Sequence, residues 1–214
     1  MAEGKTRHII ASLKLQDHNI THAFLVGSRL WGTNTGSSDF DLLFIAETLS
    51  SEVPKSQHKN QYDITLLTKD EFTRRLKSGS LIETVCCLVD GDEESVWRTG
   101  GSLKRLVPDI AVLEAWVAAR QGADCDKAKK FWLKGKKGDA FKILQHMIMA
   151  EYVVRALRGK AQDAGGRLND VSLEVAELRA FVREGRDKSD RDWMDLEWAA
   201  VEALHTVRLQ RKET

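Results

Sequence analysis

An α+β fold is predicted, with a mixed β-sheet in the first hundred residues and an α-helical half after it. Two observations carry that prediction. Before residue 100, three short apolar runs, "THAFLVGS", "FDLLFIAE" and "NQYDITLLTKDEF", alternate with polar and glycine-bearing turns. Beyond Gly101 apolar residues instead recur three and four apart through "LKRLVPDIAVLEAWVAAR", "DAFKILQHMIMAEYVVRALRGK", "VSLEVAELRAFVREGR" and "RDWMDLEWAAVEALHTVRLQ", the spacing of helices with one apolar face.

Taken in order, Ile9, Ile10, Leu13 and Leu15 fit a short amphipathic helix from Arg7 to about Leu15, and a polar turn follows. "THAFLVGS" reads as a buried strand ending at Gly27, "FDLLFIAE" as a second, and "NQYDITLL" as a third that runs into a helix near Thr68. Thr68 with Glu71 three residues on has the form of a capping box. Helix breaks are expected at Pro108, Gly122, Gly135 to Gly138, "DAGGRLND" and Gly185 to Ser189. No proline-rich linker or repeat intervenes, so residues 1–100 and 101–214 are expected to form two units that pack together.

With 42% hydrophobic and 30% charged residues the chain lies far from the composition of disorder. Its formal charge of +1 means that any attraction to nucleic acid comes from a local patch. Cys86, Cys87 and Cys125 have neither a zinc-ligand spacing nor a disulfide framework, which favours a reducing interior. The N-terminal apolar run is too short for a signal sequence and no segment reaches the roughly 18 apolar residues of a spanning helix. A soluble, cytoplasmic protein with no membrane partner is expected.

The chemistry concentrates in "LVGSRLWGTNTGSSDFDLLFI". If Phe40 to Ile45 is a strand, alternation puts Asp39 and Asp41 on one face and Phe40 and Leu42 on the other. Two carboxylates side by side repel, and a divalent cation relieves them; all-oxygen ligands favour magnesium or manganese over zinc. Gly27 and Ser28 close the first strand, where a missing Cβ lets backbone N–H groups approach a phosphate. Asp63, inside "YDITLL", completes a three-carboxylate cluster if its strand lies beside the second. Such a cluster suits two-metal chemistry on a triphosphate.

Gly27-Ser28, a ten-residue spacer and Asp39-Phe40-Asp41 resemble the signature of the DNA polymerase β-like nucleotidyltransferase superfamily. The phrase "GSRLWGTNTGSSDFDLL" is most similar to its small stand-alone members, whose usual form is Gly-Ser-Arg, a nearby glycine and Ser-Asp-x-Asp. The resemblance is specific over residues 24 to 45, looser to Asp63, and covers about the first 90. It implies a palm of mixed sheet backed by helices, with a helical half that helps bind substrate. It further implies Asp39, Asp41 and Asp63 as catalytic and metal-binding groups, and a nucleoside triphosphate held at Gly27, Ser28, Arg29 and Ser38.

Six lysines between Lys127 and Lys137, interleaved with Phe131 and Trp132, could neutralise a triphosphate or an RNA backbone, and Lys137 is counted among the nucleotide-binding candidates. The same segment also suits a solvated helix face. His146 fits a core or boundary position, Trp193 and Trp198 fit anchors of the last helix, and Asp90 to Ser95 fit a surface turn. The expected function is transfer of a nucleoside monophosphate from a nucleoside triphosphate to a hydroxyl with release of pyrophosphate, using Mg2+ or Mn2+. An RNA 3′ end is slightly favoured as acceptor over a small molecule or a protein. The alternative is a catalytically inactive nucleotide- or RNA-binding module within a larger assembly.

Overall fold

The computed structural model describes residues 10–11, 19–49, 55–59, 61–90, 95–189 and 192–210. Five strands, β1 (Ile20–Val26), β2 (Phe40–Ala46), β3 (Ser56–Lys59), β4 (Tyr62–Thr68) and β5 (Ser95–Arg98), form one sheet in the order β3-β4-β2-β1-β5. The sheet is mixed: β2 runs parallel to β4, and the pairs β1–β2, β1–β5 and β3–β4 are antiparallel.

"FDLLFIA" is a near-continuous apolar run because β2 lies inside the sheet with both faces covered. Leu43 and Ile45 enter one apolar cluster, whereas Leu42 and Phe44 enter another on the opposite face. By the same alternation Asp39 and Asp41 share the face of Leu43 and Ile45, the face on which the helices pack.

Between the strands lie a five-residue helix α1 (Gly27–Trp31) and two longer ones, α2 (Lys69–Lys77) and α3 (Leu81–Leu88). Thr68 caps α2 as expected, its hydroxyl accepting from the N–H of Glu71 at 3.1 Å. The Glu71 carboxylate turns to Lys55 and Arg75 instead. The expected N-terminal helix is described only at Ile10 and Ala11, both helical; the rest of that stretch lies outside the described residues.

The second half is helical: α4 (Ile110–Leu133), α5 (Lys137–Asp163), α6 (Val175–Asp187) and α7 (Trp198–Gln210), with short 3-10 turns between some of them. The break expected at Gly122 does not occur, and α4 continues through it. One glycine costs a helix roughly 1 kcal/mol, less than the burial of Leu113, Val117, Ala128 and Trp132 on either side of it supplies. The break at Gly135 does occur, where φ is +75°. Asp90 is not at the surface as expected but only 2% exposed, and its Oδ2 accepts from Leu103 N–H; residues 91–94 of that stretch lie outside the described residues. Trp193 and Trp198 are buried, in edge-on contact with Phe141 and Trp132 respectively.

The largest apolar cluster takes Phe24, Val26, Leu43, Ile45 and Leu67 from the sheet and Leu113, Val117, Val153 and Val182 from the helical half. Cys86 and Cys87 lie inside it, and burial pushes both thiols up, which removes them as nucleophiles. Among the described residues no helix is long and apolar enough to cross a membrane.

α6 meets α5 at Gly185, where an added Cβ would lie 2.9 Å from Met149 Cα. Gly159, inside α5, has open space around it. Alanine at a helical glycine gains up to about 1 kcal/mol from propensity, but forcing two backbones apart costs roughly 1–3 kcal/mol. Gly159→Ala should therefore raise the urea midpoint and Gly185→Ala lower it, at unchanged denaturant slope in both.

Candidate active site

Three strand ends build the site. β1 stops at Val26, and Gly27 takes φ +63° to begin α1. A Cβ there would overlap the Asp41 carboxylate, so glycine is required twice over, by conformation and by space. Across the parallel β2–β4 pair, Asp41 stands directly opposite Asp63, and Phe40 opposite Tyr62. Asp39 precedes β2 by one residue and is exposed. Asp41 is half-buried and Asp63 exposed.

The loop between α1 and β2 is held by its own polar groups. Arg29 donates from Nε to the Asp39 carbonyl at 3.2 Å and from Nη2 to the Ser38 carbonyl at 2.7 Å. Its guanidinium lies 3.6 Å from the centre of the Phe40 ring. Ser38 Oγ accepts from the Thr35 N–H at 2.8 Å, and Thr33 N–H donates to the Ser28 carbonyl at 2.8 Å. Both Arg29 and Ser38 thus fix the backbone that leads into Asp39.

Gly27, Ser28, Arg29, Ser38, Asp39, Asp41 and Asp63 therefore gather at one corner of the sheet. Lys137 stands elsewhere: its ammonium donates to the Met194 carbonyl at 2.8 Å and lies over the Trp132 ring at 5.1 Å. Those contacts belong to the helical half.

Two neighbours escaped the sequence reading. His58 on β3 pairs with Asp63 in register, and its Nδ1 is 2.6 Å from Asp63 Oδ1. That hydrogen bond, followed by the carboxylate charge, raises the His58 pKa. The signal was present in "HKNQYD": two residues between Lys59 and Tyr62 are the spacing of a tight hairpin, and Lys59 does pair with Tyr62 and so His58 with Asp63. "SQHK" has no apolar residue to mark a strand. The second neighbour is Arg179 of α6, which donates to the carbonyls of Leu30 at 3.2 Å and Arg29 at 2.9 Å. It satisfies the C-terminal carbonyls of α1 and ties the helical half to the loop.

Desolvation and then the charges of Asp63 and Asp39 raise the Asp41 pKa, offset in part by the Ser28 N–H and by Arg29. The carboxylates are neighbours along a sheet edge and not a closed cage: among the described residues no three histidine, cysteine or acidic side chains are set as ligands of one ion. The donor set nonetheless fits a hard divalent cation, because it is all oxygen and carries negative charge that its surroundings do not neutralise at Asp41.

Residues 2–68 match the model of the RlaP family, described as the RNA repair pathway DNA polymerase beta family. A search of the curated proteins gives no match. Among solved structures, a nucleotidyltransferase-like protein from Exiguobacterium sibiricum 255-15 is similar at 16% identity and a TM-score of 0.35, over 97% of this chain and 72% of its own.

A raised carboxylate pKa means that the folded state holds the proton more tightly than the unfolded chain. Stability contributed by Asp41 is thus present at low pH and is lost as pH rises from about the ordinary value of 3.8 through the raised one. Asp41→Asn keeps the acceptor oxygen and removes the repulsion, so in chelator at pH 7 its melting temperature should exceed that of the wild type. The rise should be about 1–3 °C, since 1 kcal/mol corresponds to roughly 2–4 °C at this length. The gap should close below pH 4 and when millimolar magnesium is added.

The resemblance read from the Gly-Ser corner and its aspartates is borne out over residues 2–68, about the N-terminal third of the chain, which are similar to a DNA polymerase beta family of nucleotidyltransferases.

Proposed function

We propose that the protein transfers a nucleoside monophosphate from a nucleoside triphosphate to a hydroxyl, with an RNA 3′ end as acceptor. The observation that carries this is the face-to-face placement of Asp41 and Asp63 on parallel strands beside the Gly27 corner, with Asp39 on the same face. The description of the matching family model, an RNA repair pathway, supports RNA over other acceptors. Five lysines exposed around the turn between α4 and α5, namely Lys127, Lys129, Lys130, Lys134 and Lys136, give a phosphate backbone a place to lie.

Asp39, Asp41 and Asp63 would hold Mg2+ or Mn2+, which when bound supplies neutralisation of the triphosphate and a lower pKa for the attacking hydroxyl. The backbone at Gly27 and Ser28 orients the phosphates. Arg29 and Ser38 act one step back, by fixing the strand entry that aims Asp39 and Asp41. The acceptor oxygen bonds to the α-phosphorus as the bond to the β-phosphate oxygen breaks, and pyrophosphate leaves with that electron pair. Asp63 accepts the hydroxyl proton, with His58 hydrogen-bonded to it on the outer side.

Wild-type protein given magnesium, each labelled triphosphate and an RNA pool should label RNA, and chelator should stop it. Asp39→Ala and Asp63→Ala should each reduce the rate at least 100-fold, since charge placement carries most of the acceleration in such chemistry. Triphosphate binding that persists in chelator and in Asp41→Asn, without turnover in the wild type, would replace this function with that of an inactive binding module.

A further inference from the structure

We propose that the cleft where α1, α3, α4 and α5 meet is a subsite for a planar heteroaromatic ring, a nucleobase. The cleft has a volume of about 200 Å3 and lies on the far end of α1 from Gly27. Ligand pockets for drug-sized molecules span roughly 300–1,000 Å3, so the space suits one ring system and excludes a whole nucleotide. Two half-buried tryptophans, Trp31 and Trp116, line it together with Met149 and Val153. Indole faces and thioether sulfur favour a flat aromatic guest over an aliphatic one.

The remaining wall is polar and has bonding capacity left. His146 is reached by solvent yet ringed by protein atoms, as befits the side of a cleft, and among the described residues its ring makes no hydrogen bond. Burial lowers its pKa against the pull of Asp124, with Lys142 adding to the lowering. The neutral ring thus offers one donor and one acceptor nitrogen, the pair that the edge of a base requires. Arg120 bonds Asp124 through Nε and keeps its terminal N–H groups. Four residues of helix separate Gly27 from Trp31, about 6 Å at 1.5 Å per residue. A base in the cleft would therefore sit within a nucleotide's reach of the phosphate corner.

That the ring is a nucleobase rests on the nucleotidyl-transfer function; that a ring binds here does not. The base could belong to the triphosphate or to the acceptor. Ligand-observed NMR titrations with the four ribonucleosides, in chelator, test the cleft directly. At least one nucleoside should bind the wild type and Asp41→Asn alike. Ala150→Phe, which fills the cleft, and Trp116→Ala, which removes a wall, should each weaken that binding tenfold or more while near-UV circular dichroism shows both variants folded. Competition by the matching triphosphate assigns the site to the donor base, and nucleoside binding to triphosphate-saturated protein assigns it to the acceptor; either supports the subsite. Absence of nucleoside binding to the wild type, or equal binding by the filled variant, overturns it. Base binding without RNA labelling would strike the transfer function alone, and labelling undiminished in Ala150→Phe with no nucleoside binding would strike the cleft alone.

Discussion

The parallel pairing of β2 with β4 is the constraint on which the rest of the site depends. It sets Asp41 opposite Asp63, two like charges at adjacent strand positions, an arrangement that cross-strand energetics disfavour. Sliding either strand by one residue would relieve the repulsion, but it would also turn Leu42, Phe44, Ile64 and Leu66 out of one apolar cluster and Leu43, Ile45 and Leu67 out of the other. Burying or exposing a side chain of that size is worth roughly 1.5–3 kcal/mol each, several times what a repulsion between half-exposed carboxylates can return. The register is therefore held by the cores, and the aspartates are carried into confrontation by it.

Holding charges in place also requires the loop between them and the phosphate corner to be stiff. Thr35, Ser37 and Ser38 share hydroxyl contacts, and the Arg29 guanidinium spends two of its donors on the carbonyls of Ser38 and Asp39. Arg179 then takes the carbonyls of Arg29 and Leu30 from the other side. Two arginines in series thus connect α6 to the residue before the first aspartate. A displacement of α6 would be felt at Asp39 through four hydrogen bonds, which couples the helical half to the corner that holds the carboxylates.

Much of this was legible in the sequence, and the reasons differ residue by residue. β1, β2 and β4 were readable because buried strands demand apolar runs, and the Asp39, Asp41 and Asp63 pattern stood out because carboxylates interrupt such runs at a cost. β3 was not readable: "SQHK" is an edge strand whose partner supplies the ladder, and its side chains need no apolar face. His58 was hidden with it. Arg179 lies 150 residues from the carbonyl it bonds, and no local pattern encodes a tertiary cap. Gly122 misled because glycine ends helices only when nothing else holds them, and α4 is held by Leu113 and Val117 before the glycine and by Ala128 and Trp132 after it.

The length of α4 explains why the features assigned to substrate are spread over the helical half and not gathered at the carboxylates. Its twenty-four residues rise about 36 Å. The N-terminal turns, through Leu113 and Val117, belong to the core shared with the sheet. Trp116, Arg120 and Asp124 follow along the cleft, and the lysines crowd the last turns and the connection to α5. From Val117 to Leu133 is sixteen residues, about 24 Å, several nucleotides of extended strand. On the proposed function, a chain of phosphates anchored at the lysine end would run along the same helix that lines the cleft. A single mononucleotide could not touch both ends. Under the proposed function, exposed lysines about 24 Å along α4 from Val117 would suit a polymeric acceptor better than a small molecule.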